Sequence, residues 1–171
     1  HRVIYLDSGA TAQIPQSVID RVVEHMTQRN GNPHRGSHIL AIEASEDYEN
    51  ARDRVVEFIN AREREEVIFT RNSTESMNLI AHSYGLHNVK KGDKIVITVA
   101  EHHANLVTWQ YVAEQTGATL EYMYLDEHGH LKDGEINKID EKTKIVAFAH
   151  VSNVLGMEFP VKELTEKAHS V

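Results

Sequence analysis

A chain of 171 residues with 40% hydrophobic and 26% charged side chains is long enough for a domain with a real core, and this composition excludes disordered and fibrous classes. The absence of a run of about 20 apolar residues argues against a membrane partner, and a formal net charge of −8 argues against nucleic acid. The lack of cysteine excludes disulfides, thiolate zinc sites and a cysteine nucleophile within the chain. The sequence opens without a signal-peptide pattern, so a cytoplasmic location is expected.

Residues 1–62 are predicted to form an extended arm followed by two helices. Residues 4–6 are strand-like, and a turn of small residues follows at 7–11. Pro15 suits the first turn of a helix, and apolar residues then recur at the spacing of one buried face: Val18, Ile19, Val22, Val23 and Met26. A second helix is predicted over about 40–59, with an apolar stripe of its own: Ala44, Tyr48, Ala51, Val55, Phe58 and Ile59.

Residues 63–171 show strands alternating with helices, a pattern typical of a parallel sheet covered on both faces. The predicted strands are residues 67–70, 94–99, 119–125 and 143–150. The predicted helices are residues 74–84, 104–116, about 133–139, and a last segment from about 161. The fold class is therefore α/β, with an N-terminal arm and helices followed by the first part of a mostly parallel, doubly wound sheet. Because another strand is expected after the last helix, the sheet is predicted to be incomplete.

Ligands of an open parallel sheet bind beyond the carboxyl ends of its strands, so the loops there are the candidate sites. The first loop, residues 70–75, leads into a helix start, where free N–H groups and the hydroxyls of Ser73 and Thr74 can donate to a phosphate. The alternative is that one of these two side chains only caps the helix. The loop lacks the glycine patterns of nucleotide-binding sites, which points to a different phosphate ligand.

The second loop, residues 101–105, carries His102 and His103. No metal site is predicted, because adjacent histidines point in different directions and a His-Glu-x-x-His pattern is absent. His102 can instead lie flat on a planar ligand ring or act as an acid or base near neutral pH, and a purely structural hydrogen bond is the alternative. The other histidines, His82 among them, are interpreted as surface residues.

In the third loop, residues 150–156, the amide of Asn153 can orient a ring oxygen or a carboxylate. A buried asparagine that fixes a turn is the alternative.

Six short stretches of the chain form a recognisable pattern when their order and their spacing are considered together. They are residues 5–13 (YLDSGATAQ), 34–38 (HRGSH), 58–61 (FINA), 74–79 (TESMNL), 101–105 (EHHAN) and 150–156 (HVSNVLG). This pattern, which covers nearly the whole chain, resembles the class V aminotransferase family. It is most similar to the cysteine desulfurases of the SUF type, including the selenocysteine lyase-like enzymes.

The resemblance implies a homodimeric pyridoxal 5'-phosphate enzyme of fold type I. Such an enzyme converts L-cysteine to L-alanine and passes the sulfur as a persulfide to an acceptor protein for iron–sulfur cluster assembly. The resemblance also implies that Ser73 and Thr74 hold the cofactor phosphate, that His102 stacks on the pyridine ring with a catalytic role, and that Asn153 hydrogen-bonds near the ring hydroxyl. It gives His34 a substrate-side or cofactor-side role.

The chain departs from the family in two respects. Relatives usually have Gly-Thr-Thr-Glu where this chain has Asn72-Ser73-Thr74-Glu75; asparagine tolerates a left-handed backbone and serine keeps the hydroxyl, so the phosphate site is expected to persist. The family's Schiff-base lysine, nucleophilic cysteine, aspartate at the pyridine nitrogen and carboxylate-binding arginine all lie beyond the position of Val171. The chain is therefore interpreted as the N-terminal part of such an enzyme and is expected to be inactive by itself.

Two other interpretations stay open at this point. The chain can belong to a related enzyme that acts on another amino acid, such as a selenocysteine lyase or an epimerase-like protein. It can also be a non-catalytic dimerisation or binding module.

Overall fold

The structure is a computed structural model that describes residues 3–171. These residues form two compact units, one that ends at Phe69 and one that runs from Thr70 to Val171. The predicted domain boundary lies between residues 62 and 63, and the segment from there to Phe69 contacts the first unit, where the ring centroids of Tyr48 and Phe69 lie 5.6 Å apart. Within the described residues, no helix combines the length and apolarity that crossing a bilayer requires.

The first unit contains the two helices that the sequence predicts. Helix α1 covers Gln16–Gln28, helix α2 covers Ile39–Ile59, and a short 3₁₀ turn follows at Arg64–Glu66. Helix α2 begins where Nδ1 of His38 accepts a hydrogen bond from the Ala41 N–H. The strand-like segment at residues 4–6 forms no strand, because no neighbouring strand within residues 3–171 pairs with it.

The predicted buried face of α1 is not buried. Its apolar side chains are between 41% and 69% exposed: Val18, Ile19, Val22, Val23 and Met26. In α2, Ala44 is buried, but Phe58 of the predicted stripe is 89% exposed. Helical spacing identifies an apolar face, but burial of that face needs a neighbouring surface that the spacing does not supply.

The second unit is built on a three-stranded parallel sheet. Strand β1 covers Lys94–Thr98, β2 covers Thr119–Met123 and β3 covers Thr143–Ala147, in the spatial order β2-β1-β3. Lys94 is aligned with the first residue of each neighbouring strand, so all three carboxyl ends lie at the same edge. Central strand β1 is buried from its second residue to its last, which explains its continuous apolar run.

Helices cover both faces of this sheet. Helix α4 (His103–Thr116) joins β1 to β2, and its Trp109 packs with Ile97 of β1 in one core cluster. Helix α5 (Val161–His169) follows β3, and its Leu164 packs with Val96 of β1 in the other cluster. Alternate residues of a strand point to opposite faces, so neighbouring β1 residues serve different cores. The predicted doubly wound α/β architecture is confirmed, and the sheet is open.

Three elements predicted within residues 63–171 differ in the structure. Residues 67–70 form no strand, because extended backbone becomes a strand only beside a partner and none pairs with it within the described chain. Helix α3 covers Ser73–Ile80 and then changes to a π-helical turn at Ala81–Gly85 and one further turn at Leu86–Asn88. The helix predicted at about 133–139 is a short 3₁₀ helix, Glu135–Lys138.

An ion-pair cluster lies at the amino ends of the strands. The ammonium nitrogen of Lys94 is 2.7 Å from Oδ2 of Asp140 and 2.9 Å from Oε2 of Glu121, and it donates to the Lys138 carbonyl at 2.7 Å. Burial lowers the pKa of Lys94, but the hydrogen bonds with the two carboxylates outweigh burial and raise this pKa above 10.5. The hydrogen bond from Lys94 lowers the pKa of Asp140 below 3.8.

These shifts predict how stability depends on pH. The depressed pKa of Asp140 adds stability above its ordinary value of 3.8, and this contribution is lost as pH falls through the lower folded-state pKa. The raised pKa of Lys94 adds stability below 10.5, and this is lost as pH rises through the higher folded-state pKa. We expect Lys94→Met to flatten both limbs of the curve and to lower the free energy of unfolding at neutral pH by about 2 kcal/mol, between the values for exposed and buried pairs.

Urea unfolding at a series of pH values measures this effect. The exposed Lys144 provides the control, and Lys144→Met should leave the curve unchanged. A Lys94→Met curve that runs parallel to the unsubstituted curve at every pH would contradict the assignment.

Candidate functional site

A cavity of about 730 Å³ lies in the second unit between α3 and α4. Thr74 in the first turn of α3 lines it, and so do His102 and His103 at the start of α4. The remaining lining residues are Asn78, His82, Ala104, Val107, Thr108 and Tyr111. Since the loop that carries His102 follows directly from β1, the cavity adjoins the carboxyl end of a strand, where the sequence predicts a ligand.

The first turn of α3 is capped by Asn72. Its side-chain oxygen accepts a hydrogen bond from the Glu75 N–H at 3.0 Å, and its backbone is extended, with φ −170° and ψ 172°. Neither Ser73 nor Thr74 is therefore the cap, and the backbone of Asn72 is extended, not left-handed. The reason is that an N-cap residue takes an extended conformation and presents a side-chain acceptor, which asparagine does well.

Because Asn72 caps the helix, the hydroxyls of Ser73 and Thr74 remain exposed and available in the first turn. They join the free N–H groups and the positive end of the helix dipole, which together favour an anion. The one carboxylate of this turn, Glu75, is paired with Arg71, whose side-chain hydrogen bond holds the pKa of Glu75 below 4.5. A salt bridge of 3.1 Å thereby offsets the charge that would otherwise repel an anion.

The Asn72 cap gives a prediction with a matched pair of variants. Asn72→Ala should lower the free energy of unfolding by about 1 kcal/mol, because the helix loses its cap. Asn72→Asp keeps a good cap but places a negative charge beside the candidate anion site, so it should preserve stability and weaken the binding of inorganic phosphate. Chemical denaturation and phosphate titration of the two variants measure these effects, and equal stability of both would show that the cap is unimportant.

His102 forms the N-cap of α4. Its Nδ1 accepts a hydrogen bond from the Ala104 N–H at 3.1 Å, so the proton of the neutral ring is on Nε2. This bond fixes the orientation of an exposed ring at the wall of the cavity. The rings of His102 and His103 are nearly perpendicular, at 86°, with centroids 6.3 Å apart. Among the described residues, no group of three or more metal-ligating side chains is found together.

Two residues near this cavity were not predicted to be functional. His82, interpreted as a surface residue, is exposed but also lines the cavity, with its ring centroid 5.5 Å from that of Tyr111. Glu101 received no role, yet its carboxylate accepts hydrogen bonds from Thr98, Asn105 and the backbone of Ala149. The signal for Glu101 was its position shortly after the buried strand β1, which ends at Thr98, with an asparagine one helical turn later.

Ser73, Asn153 and His34 lie outside the lining of this cavity, although Ser73 is exposed next to Thr74 in the first turn of α3. Asn153 is exposed in the turn after β3, so it is not a buried, turn-fixing residue; the buried Ser152 has that role and accepts from the Leu155 N–H at 3.2 Å. His34 belongs to the first unit, where its Nε2 lies 3.3 Å from Oε1 of Glu49. The functional roles of Asn153 and His34 stay predictions.

Comparison with solved structures identifies close matches to the fold. The chain aligns with the apo structure of a cysteine desulfurase from Thermococcus onnurineus NA1 with a TM-score of 0.92 and 41% identity, over 98% of this chain and 42% of the other. The cysteine desulfurase CsdA from Escherichia coli aligns with a TM-score of 0.82 and 36% identity, over 97% of this chain and 42% of the other.

Comparison with curated sequences gives the same picture. A probable cysteine desulfurase from Halalkalibacterium halodurans is 51% identical over 168 residues, which are 98% of this chain and 41% of that protein. A cysteine desulfurase from Haloferax volcanii is 51% identical over 172 residues, 99% of this chain and 40% of that protein. The chain thus spans about 40% of the length of these relatives. Since the profile of the class V aminotransferases matches residues 4–171, the chain belongs to the aminotransferase class-V family.

Proposed function

We propose that the second unit supplies part of the active site of a cysteine desulfurase that converts L-cysteine to L-alanine. Relatives that are 51% identical are cysteine desulfurases, and members of these families depend on pyridoxal phosphate. The observation that carries the proposal is the shared cavity, in which an anion-favouring helix start at Thr74 and the oriented ring of His102 line the same space.

The residues present fit this cofactor. The hydroxyls of Ser73 and Thr74, with the N–H groups of the first turn of α3, suit a phosphate group. The ring of His102 is exposed, flat and fixed by its bond to Ala104, which suits contact with a planar heterocycle. When bound, pyridoxal phosphate supplies an electron sink for reactions at the α-carbon of an amino acid.

The chain's own residues then have separate tasks. Ser73 and Thr74 bind the phosphate and so anchor one end of the ring system. His102 orients the ring by flat contact and holds a proton on Nε2, the nitrogen that its backbone bond leaves free. Asn153 is assigned the ring hydroxyl by the family resemblance, and His34 the substrate side.

The proposal extends to the setting of the enzyme. We place it in the SUF type, as a cytoplasmic homodimer that delivers sulfur to an acceptor protein for iron–sulfur cluster assembly. The support is the order and spacing of the family-like stretches, above all residues 101–105 and 150–156. The exposed apolar side chains of α1 are consistent with self-association.

The test uses the full-length protein that contains this chain, loaded with pyridoxal phosphate. We expect it to form alanine from L-cysteine, and the 171-residue chain alone to form none, since it has no cysteine to carry sulfur. Selenocysteine is the parallel substrate, and a strong preference for it would favour the selenocysteine lyase alternative. Failure of the full-length protein to bind the cofactor, or alanine formation by the chain alone, would overturn the proposal.

A further inference from the structure

The carboxylate of Glu101 connects segments of the second unit that are distant in sequence. Its Oε2 accepts from Nδ2 of Asn105 at 2.8 Å, in the first turn of α4. Its Oε1 accepts from the Ala149 N–H at 3.0 Å, in the segment after β3, and from the hydroxyl of Thr98 at the end of β1. Thr98 is fully buried and Asn105 is 8% exposed, so water does not readily replace these bonds.

The direction of these hydrogen bonds makes a carboxylate necessary. Every group that faces Glu101 is a donor in the structure, and Asn105 cannot turn its amide around without cost. Its Oδ1 accepts from the indole Nε1 of Trp109 at 2.8 Å, and Trp109 is only 4% exposed. A neutral amide at position 101 would therefore place an N–H group against at least one donor, although it has nearly the same shape.

Glu101 and its hydrogen-bond partners lie next to residues that the proposed function uses. Glu101 precedes His102, which caps α4 and lines the cavity. Its other partner, Ala149, belongs to the segment that leads to Asn153. We propose that Glu101 is a positioning residue that holds the His102 loop and the segment after β3 in fixed register for a bound pyridoxal ring. This inference rests on the proposed function for the identity of the ring.

The experiment compares Glu101→Gln with a compensating double variant. Glu101→Gln keeps the size of the side chain but loses one acceptor. Adding Asn105→Asp restores the full set, because the introduced aspartate accepts both from the introduced amide and from Trp109, while the introduced amide oxygen accepts from Thr98 and Ala149. Glu114→Gln, at an exposed position of the same helix, is the control for a lost charge.

Two readouts are taken on the full-length protein. Hydrogen exchange of the cofactor-free protein should be about tenfold faster in residues 99–105 and 148–153 of Glu101→Gln, the loss expected for one bond to a charged group. Exchange in β2 and α5 should not change. The dissociation constant for pyridoxal phosphate should rise by a similar factor, and the double variant should recover both values.

The outcomes separate the inference from the function on which it rests. Uniformly faster exchange across the second unit, or no recovery in the double variant, would overturn a positioning role, because a general loss of stability would then explain the effect. Faster exchange in residues 99–105 and 148–153 of Glu101→Gln, combined with an unchanged dissociation constant for pyridoxal phosphate, would overturn the positioning role as well. If the unsubstituted protein binds no pyridoxal phosphate, the proposed function fails, while the exchange data still decide whether Glu101 holds the two segments.

Discussion

Replacement of both Ser73 and Thr74 by alanine should lower the affinity for pyridoxal phosphate at least about tenfold without unfolding the protein. Each hydroxyl that donates to a charged acceptor is worth about 1.5–3 kcal/mol, and both are lost. The N–H groups and the dipole of α3 remain, so binding is weakened rather than abolished. Because Asn72 is the cap, stability should hardly change. Cofactor titration of the cofactor-free, full-length protein and its circular dichroism measure the two effects.

The comparison variants make this prediction specific. Ser83→Ala removes an exposed hydroxyl that bonds to the Leu79 carbonyl, away from the first turn of α3, and should leave affinity unchanged. His102→Ala should reduce turnover more than cofactor retention, since the proposed function has this residue orient the ring and hold a proton. Equal cofactor loss in the Ser73/Thr74 and His102 variants, or full turnover without His102, would show that these roles are assigned wrongly.

Trp109→Ala should lower the free energy of unfolding by about 3–5 kcal/mol, the usual cost of removing a large core aromatic. Trp109 packs with Ile97 in the core cluster on one face of the sheet, and its indole N–H bonds to the side chain of Asn105. Truncation thus opens a cavity and also leaves the Asn105 oxygen without its donor. Trp109→Phe retains most of the volume, so its cost should be smaller and arise mainly from the lost hydrogen bond.

Circular dichroism is the suitable probe for these variants, because Trp109 is the chain's single tryptophan and the tryptophan fluorescence is lost with it. Tyr111→Ala, on the same helix but at a position 40% exposed, should cost much less. A loss of less than about 1 kcal/mol for Trp109→Ala would mean that this cluster does not hold α4 on the sheet.

The sequence predicts those features that depend on neighbouring residues along the chain. The apolar run of residues 95–97, which are followed by the polar Thr98, indicates a buried strand, and helical spacing locates both α1 and α2. Ligands of parallel sheets bind beyond the carboxyl ends of the strands, so the position of the predicted strand along the chain is enough to locate the loop with His102. The helix start at Ser73 was also predicted, but after a strand at residues 67–70 that does not form in the described chain, and its cap at Asn72 was not predicted.

The remaining features depend on contacts between segments far apart in sequence. Residues 67–70 have the composition of a strand but no partner strand in the described chain, so hydrogen bonding, not propensity, decided their state. Helix α1 has the apolar face that its spacing predicts, but whether this face is buried depends on which other segment packs against it.

The hydrogen bonds of Glu101 depend on tertiary structure more than any other feature of the candidate site. Its partner Ala149 lies 48 positions away and meets it only because β1 and β3 are adjacent and parallel. The sequence by itself therefore determined the family and the α/β class, and it located the loops that are proposed to carry the chemistry, since all of these depend on local patterns. Only the folded chain decided which helix start is open, which apolar faces are covered and which carboxylate joins the loops, because each depends on a partner that local sequence does not contain.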